Sequence, residues 1–501
     1  MTASRRMSLG ALTDIISPQR VVGMPVGEVR GLAYDSRNVQ PATLFFAIPG
    51  VHVDGHDFIP QAVERGAMAV VVERELPRMR VPQLVVQRAR DALADAADAW
   101  FGHPSRSLRV IGITGTDGKT TTGFLVAALL RAAGRHPGLI GTVELGVGDE
   151  RMPNPNRNTT PEALELQSLL ADMVAAGNDS VVMEATSHGL AQARTRNVEF
   201  DVGILTNLTS EHLEFHGSLE NYRAAKAMLF EQSPVSILNA DDPSIGYFRE
   251  RAAGSVVTYA LEADADVRAS AVAATASGTA FDVTSGGWTG RVALHLPGSF
   301  NVHNALAAMA LARVEGIDLE LAARALGEVP GVPGRMETVD LGQPFGVVVD
   351  YAHTADSLGK VLRILRPLTS GRLIAVFGSA GERDPTKRPA MGHVAGELAD
   401  VTIVADEDPR LEDPRVINEA IADGARSAGA IDGESLFVVD DRTAAISHAI
   451  GLAREGDVIL LAGKGHEQTI IYGTEGRWWD EKEVARRALR ARGFAEASAR
   501  G

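Results

Sequence analysis

The stretch Gly112-Ile-Thr-Gly-Thr-Asp-Gly-Lys-Thr-Thr-Thr122 combines closely spaced glycines, one lysine and a run of threonines. Glycines let a backbone turn sharply and bring N–H groups close to phosphate oxygens. A helix starting directly afterwards adds the positive end of its dipole. Lys119 can then reach outer phosphates, and the Thr120 hydroxyl is a hard oxygen suited to Mg²⁺. The flanks agree: Ser107–Ile113 reads as a short apolar strand and Gly123–Arg131 as a helix, the layout of a phosphate-binding loop. One position departs from the usual pattern. Ile113 stands where a glycine is expected before Gly118, and the glycines on offer are Gly112 and Gly115.

Other reactive side chains cluster after apolar runs. Ser180-Val-Val-Met-Glu184 reads as a buried strand ending in a carboxylate, followed by Ala-Thr-Ser-His188; a carboxylate and an imidazole beside a phosphate loop suit Mg²⁺. Val202–Asn207 reads as another strand, and Asn207-Leu-Thr-Ser-Glu-His-Leu-Glu-Phe-His-Gly217 continues it. Lys226 falls on a helix, where composition alone makes it a surface lysine. Asn301 and Asn304 open a helix in Phe300-Asn-Val-His-Asn-Ala305, able to cap it or to read a purine. Asp350-Tyr-Ala-His-Thr354, Arg383 with Lys387-Arg388, Glu407-Asp-Pro-Arg410 and Gly463-Lys-Gly-His-Glu467 each follow a β run. Singly, each cluster is a solvated loop or a cap. Their shared place at strand ends, where ligands sit in open α/β sheets, predicts a second ligand surface facing the phosphate loop.

The elements that must position these groups are α/β throughout. Leu44–Ile48 and Ala67–Val72 read as strands around a helix over Ile59–Arg65, and Ala89–Phe101 is an alanine-rich helix leading into a linker, Gly102-His-Pro-Ser105. Val235–Asn239 is a further strand, Ala271–Leu296 is β-rich, and Asn301–Val314 is helical. Gly331-Val-Pro-Gly334 breaks the pattern. Gly346–Asp350, Arg372–Phe377, Val401–Ala405 and Val458–Ala462 then alternate with helices like a dinucleotide fold.

At 501 residues the chain must hold several domains. Its 49 Lys and Arg against 64 Asp and Glu leave −15, which argues against nucleic acid or an anionic membrane as partner but not against a small anionic substrate. Without cysteine, disulfides and thiolate metal sites are excluded. No signal-peptide core or membrane-length apolar run is visible, so a cytoplasmic location is expected.

Together, Gly115–Thr120, Asn207–Lys226, Asn301-Val-His-Asn304, Asp350–Thr354 and Gly463–Glu467 resemble the Mur ligase family, in order and over nearly the whole chain. Within it the chain most resembles the members that add the third residue of the peptidoglycan stem peptide. The resemblance implies three domains: a small α/β domain for the UDP substrate over 1–105, a central P-loop ATPase with a parallel sheet over 106–332, and a Rossmann-like amino-acid-binding domain over 333–501. It implies ATP-dependent amide ligation with ATP and Mg²⁺ as cofactors, by a monomer. The D-Glu γ-carboxylate of UDP-N-acetylmuramoyl-L-alanyl-D-glutamate would become an acyl phosphate. The amine of a diamino acid, whether meso-diaminopimelate, L-lysine or L-ornithine, would then attack it.

By position, the resemblance implies that Tyr34, Ser36, Val51, His52 and Val53 line the uridine end. Asn158, Thr159, Thr160, Thr186, Gln192 and Arg194 would hold the muramyl peptide. Gly115, Thr116, Asp117, Gly118, Lys119, Thr120 and Thr121 would cradle ATP, with Asn301, Asn304 and Asp350 at adenine or ribose. Thr120, Glu184, His212 and Lys226 would hold Mg²⁺, Lys226 as a carbamate, and Lys119, Lys226 and His212 would be catalytic. Arg383, Glu407, Asp408, Pro409, Arg410, Gly463 and Glu467 would hold the incoming amino acid. Asp117 replaces a usual Asn, Thr186 a common Ser, and Asp408 the Asn usual in diaminopimelate-adding members. Arg410 favours a substrate with a second carboxylate, and an ionised Asp408 opposes it unless Arg410 neutralises that Asp. A folylpolyglutamate synthase-like ligase and a non-catalytic Mur-like subunit are the alternatives. The N-terminal region with Asp35-Ser-Arg37 disfavours the first, and the lack of a cysteine-rich insertion disfavours the second.

Overall fold

The computed structural model describes residues 5–50, 53–154, 158–209, 211, 213–275 and 278–495, of which 213 and 214 are described by backbone alone. The chain divides into two compact units, Met1–Arg268 with Asn304–Ala322, and Ala269–His303 with Ala323–Gly501.

Besides the short strand pair Met7–Ser8/Glu28–Val29, the described residues of the first unit form two larger sheets. The smaller runs Arg20–Val22, Gln83–Val85, Ala67–Val72, Thr43–Phe46, Gly31–Ala33, parallel except for its first pair. Leu44, Phe46, Ala69 and Val71 pack on Leu9, Leu12, Ala92 and Leu93 of two helices. Gly102–Ser105, expected as a linker, is instead packed: Pro104–Ser107 is a 3₁₀ turn, Pro104 and Ser105 are buried, and Ser105 Oγ accepts from Glu199 N at 3.2 Å.

The larger sheet of this unit orders its strands Glu150–Pro153, Glu144–Val147, Pro137–Ile140, Ser180–Glu184, Arg109–Thr114, Val202–Leu205, Val235–Asn239, Ser255–Ala260 and Val267–Thr275. From Pro137–Ile140 to Ser255–Ala260 the pairing is parallel. Its strands are apolar runs without alternation because both faces are covered. Pro137–Ile140 escapes detection from sequence because it opens Pro-Gly. Gly138 is required where Met173 passes, since a Cβ there would lie 2.6 Å from the Met173 sulfur.

In the second unit, Gly278–Ser285 and Trp288–Leu294 form a hairpin. A second sheet runs Glu337–Thr338, Gly346–Asp350, Val458–Ala462, Leu373–Phe377, Val401–Val404, Leu436–Val438. All its pairs are parallel except the first. Val347, Val349, Ile374 and Val376 face one core, and Val348, Leu373, Ala375 and Phe377 face the other. The short strand Leu436–Val438 and the hairpin Thr469–Tyr472/Glu475–Trp478 are too brief to stand out by periodicity.

On one face the helices Lys387–Leu398 and Pro414–Ser427 approach so closely that only glycine fits at the crossing. A Cβ on Gly392 would fall 1.8 Å from Ile421 O, and one on Gly424 would fall 2.0 Å from Pro389 O. Gly392→Ala should therefore destabilise this unit by about 2 kcal/mol or more through overpacking. Gly451→Ala, at a helical glycine with open space around it, should stabilise it by about 0.5–1 kcal/mol. Urea unfolding of both variants checks the pair, and equal effects would contradict the packing argument.

Candidate active site

Parallel register sets the site. Glu184 pairs with Ile113, and Leu205 with Thr114, so three neighbouring strands end level and their following loops share one edge. Ile113 is a fully buried strand residue and Gly112 lies inside the strand, where a Cβ would meet the Phe200 ring at 2.7 Å. Gly112 therefore serves packing, and the turn belongs to Gly115 and Gly118. Gly118 has φ +84°, and a Cβ there would fall 2.4 Å from Asn304 Oδ1; one on Gly115 would fall 1.8 Å from Thr206 Oγ1. The helix starts at Lys119, four residues before the sequence pattern suggests.

The loop is stitched to the neighbouring strand end. Thr116 N donates to Asn207 O at 2.9 Å, Asp117 N to Asn207 Oδ1 at 3.0 Å, and Thr206 Oγ1 to Asp117 O at 2.6 Å. Thr116 Oγ1 accepts from Thr209 N at 2.9 Å and lies 3.1 Å from the Tyr222 hydroxyl. Asn207 was legible only as a polar strand end; its part in shaping the loop emerges from these contacts. Asn304 lies 3.3 Å from Thr122 Oγ1, behind the first turn of the helix.

Two lysines converge on one carbonyl. Lys119 Nζ donates to Gly115 O at 3.0 Å and Thr116 O at 2.7 Å. Lys226 Nζ donates to the same Gly115 O at 2.6 Å and lies 4.5 Å from the Tyr222 ring centroid. Lys226 is 1% exposed, which overturns the surface-lysine alternative. Burial, reinforced by the neighbouring Lys119 charge, holds its pKa well below the usual lysine value. The shift favours the neutral amine over the ammonium.

Glu184 is 2% exposed. Its Oε1 accepts from Thr142 N at 2.8 Å and its Oε2 from Thr142 Oγ1 at 3.1 Å. Thr142 Oγ1 in turn lies 2.9 Å from Thr159 Oγ1. Thr160 Oγ1 donates to Glu184 O at 2.8 Å and accepts from Thr186 N at 3.0 Å, and Thr186 Oγ1 accepts from Gly189 N at 3.1 Å. Thr159, Thr160, Thr186 and Glu184 are thus one connected group, in which Thr160 and Thr186 build the scaffold. His188 stacks on Phe215 at 4.2 Å, and His216 lies 3.0 Å from Ser187 Oγ, so the two clusters read separately in the sequence pack together. His212, Val51 and His52 lie outside the described residues. Among the described residues no three His, Asp or Glu groups gather for a metal. The oxygens of Thr120 and Glu184 are hard donors of the kind that suit Mg²⁺.

Towards the N-terminal sheet, Arg194 Nη1 donates to Thr160 O at 2.9 Å and Nη2 to Gln192 Oε1 at 2.6 Å, with Glu162 3.0 Å away. Tyr34 donates its hydroxyl to Glu165 at 2.9 Å, Ser36 donates to Gln61 at 2.7 Å, and Asn158 and Val53 are exposed.

In the second unit Asp350, Ala462, Phe377 and Val404 mark strand ends joined by register. Asp350 is buried, accepting from Met336 N at 2.8 Å and Ala352 N at 2.9 Å, and burial raises its pKa. Asn301, 1% exposed, donates to Pro297 O at 2.9 Å. Burial likewise pushes the Glu407 carboxyl up, opposed chiefly by Arg442. Gly463 faces Glu407, since a Cβ there would lie 2.7 Å from Glu407 Oε2.

Asp408 is neutralised by Lys464, not by Arg410. Lys464 is fully buried, its Nζ lies 3.0 Å from Asp408 Oδ1, and it also pairs with Glu467. Asp408 Oδ1 accepts from Ile471 N as well. Lys464 sits inside the quoted Gly-Lys-Gly-His-Glu run, yet nothing in its spacing distinguishes it from a surface lysine. Arg410 adopts φ +54° and is pinned by Arg410 N to Ile471 O at 3.0 Å and Gly473 N to Arg410 O at 2.7 Å. Arg383 is exposed, and Pro409 is buried.

The chain matches three Mur ligase descriptions in succession: the Mur ligase family catalytic domain over residues 28–101, the Mur ligase middle domain over 113–312, and the glutamate ligase domain over 334–465. The UDP-N-acetylmuramyl-tripeptide synthetase of Roseiflexus sp. (strain RS-1) is 50% identical over 486 residues, 93% of this chain and 96% of that protein. The chain belongs to the Mur ligase family. The UDP-N-acetylmuramoyl-L-alanyl-D-glutamate–2,6-diaminopimelate ligase of Geobacillus kaustophilus (strain HTA426) is 44% identical, across 93% of this chain and 96% of that one. A solved 2,6-diaminopimelate ligase structure superposes with TM-score 0.69 at 31% identity, covering 99% of this chain and 100% of that one. The folylpolyglutamate synthase of Mycobacterium tuberculosis, at 19% identity and TM-score 0.59 over 74% of this chain and 91% of its own, shares the fold. No helix among the described residues is long and apolar enough to cross a membrane.

The buried Lys226 has a measurable cost. Its folded-state pKa is depressed, so folding releases a proton between that value and the usual 10.5. Over this window stability rises with pH by about 1.4 kcal/mol per unit. Lys226→Met, freed of this term, should melt at least about 2 °C higher than wild type at pH 7. The gap should close as pH approaches the unfolded value. Thermal melts without CO₂ or divalent metal check it, and a less stable variant would refute it.

Proposed function

We propose that the chain is an ATP-dependent ligase that joins a diamino acid to the D-Glu γ-carboxylate of UDP-N-acetylmuramoyl-L-alanyl-D-glutamate, in peptidoglycan assembly. The observation that carries the reading is the convergence of Lys119 and Lys226 on Gly115 O, with Glu184 at the same sheet edge. It is supported by relatives bearing that activity in their names at up to 50% identity. ATP supplies the phosphoryl group that turns the γ-carboxylate into an acyl phosphate, and Mg²⁺ offsets the phosphate charge.

In this reading Lys119 leaves the loop carbonyls to pair with phosphate, and the N–H groups of Gly115 to Thr121 cradle it. Glu184, Thr120, His212 and a carbamate on Lys226 hold the metal. Thr159, Thr160, Thr186, Gln192 and Arg194 orient the muramyl peptide, Tyr34 and Ser36 serve the uridine end, and Asn301, Asn304 and Asp350 the nucleoside. The domain roles follow: residues 1–105 take the UDP substrate, 106–332 the nucleotide and 333–501 the amino acid. Lys119→Ala and Lys226→Met should each lower ligation at least about a hundredfold while staying folded. Only Lys226→Met should lose the carbamate carbon signal from ¹³C-bicarbonate. Near-normal phosphate release by Lys119→Ala would overturn the nucleotide assignment.

The amino acid is meso-diaminopimelate. Arg410 and Arg383 are available to a second carboxylate, and Lys464 already offsets the Asp408 charge that would repel it. Wild type should favour meso-diaminopimelate over L-lysine and L-ornithine at least about tenfold in kcat/KM, the worth of a charge-assisted hydrogen bond. Asp408→Asn should leave the ratio within about threefold. A preference for lysine or ornithine would overturn the assignment, and a large swing in Asp408→Asn would show that Asp408 acts as a free charge.

A further inference from the structure

Arg442 opens the helix Arg442–Leu452, in a segment with no motif, and is fully buried. All three of its guanidinium nitrogens are engaged. Nε lies 3.0 Å and 3.2 Å from the two carboxylate oxygens of Glu481, and Nη2 lies 2.6 Å from Glu481 Oε1. Nη2 also donates to Ala462 O at 2.7 Å, and Nη1 to Asp406 O at 3.3 Å. Glu481 is itself fully buried and accepts from the Trp479 indole at 2.7 Å.

The two carbonyls are the informative part. Asp406 directly precedes Glu407-Asp-Pro-Arg410, and Ala462 directly precedes Gly463-Lys-Gly-His-Glu467. Their strands, Val401–Val404 and Val458–Ala462, are not neighbours, because Leu373–Phe377 lies between them. No ladder hydrogen bond can therefore set one strand end against the other. A planar guanidinium can, since its fork presents several donors in fixed directions while its remaining edge is neutralised by a carboxylate.

We infer that Arg442, held by Glu481, is a positioning residue for the incoming amino acid: it clamps the Asp406 and Ala462 carbonyls and so fixes the spacing of the two loops that bind it. This rests on the reading that those loops form the amino-acid pocket. The Lys464–Asp408 pair crosses the same gap further out, and Lys464 also holds Glu467 of its own loop, so an error in loop spacing reaches both carboxylates. The clamp also ties the pocket to the C-terminal helix Glu481–Ala491, which begins at Glu481.

The test is steady-state kinetics of the full-length enzyme with all three substrates varied. A lysine in place of Arg442 keeps the charge but cannot reach both carbonyls and the carboxylate. Arg442→Lys should raise KM for the diamino acid about tenfold, the effect of one misplaced charge-assisted contact, and leave KM for ATP and for the UDP-linked substrate within about twofold. If Arg442 only supports the fold, the active fraction falls: kcat drops and all three KM values stay put, which overturns the proposal. Should Arg442→Lys fail to fold, Glu481→Gln keeps the shape and loosens the clamp. It should give the same selective rise, and an unchanged amino-acid KM overturns the proposal. Arg410→Lys separates the two layers of the argument. An amino-acid KM insensitive to it overturns the pocket assignment, whereas a sensitive KM there with a flat one in Arg442→Lys overturns the clamp alone.

Discussion

The parallel ladder between Arg109–Thr114 and its two neighbours is the constraint on which the proposed nucleotide site depends. Because Glu184 pairs with Ile113 and Leu205 with Thr114, the glycine loop, the Glu184 carboxylate and the Asn207 turn leave the sheet at the same level. A shift of one residue in either pairing would turn each strand's side chains to the opposite face. It would also separate Asn207 from the backbone of Thr116 and Asp117, which it holds through its own main chain and amide. These protein contacts shape the loop, which lowers the ordering cost of any ligand it binds.

Charge burial has a different logic in each unit. In the first, Lys226 is buried beside Lys119, and both side-chain nitrogens donate to one carbonyl oxygen. That arrangement is unfavourable for a folded resting protein and favourable for chemistry that needs a neutral amine and a concentrated positive field. In the second unit the buried charges are compensated: Lys464 by Asp408 and Glu467, Arg442 by Glu481. Such pairs contribute little net stability, because desolvation offsets attraction, but they allow few alternative geometries. They define where loops sit, which is what the proposed amino-acid pocket requires.

The sequence by itself determined the phosphate loop, the apolar strands, the order of the clusters and their place at strand ends. These signals are local: glycine spacing, continuous apolar runs, and polar residues directly after them. Strands with Pro and Gly, such as Pro137–Ile140, escaped because a distant side chain, Met173, dictates their composition. Tertiary structure alone decided that Gly112 serves packing and not phosphate, that Lys226 is buried, that Lys464 and not Arg410 neutralises Asp408, and that Arg442 spans two strands that are not adjacent. The physical reason is common to all four. Burial and pairing belong to residues that separate elements bring together, from 20 positions of chain apart, as Arg442 is to Ala462, to 111, as Lys226 is to Gly115, and no spacing within a segment encodes them.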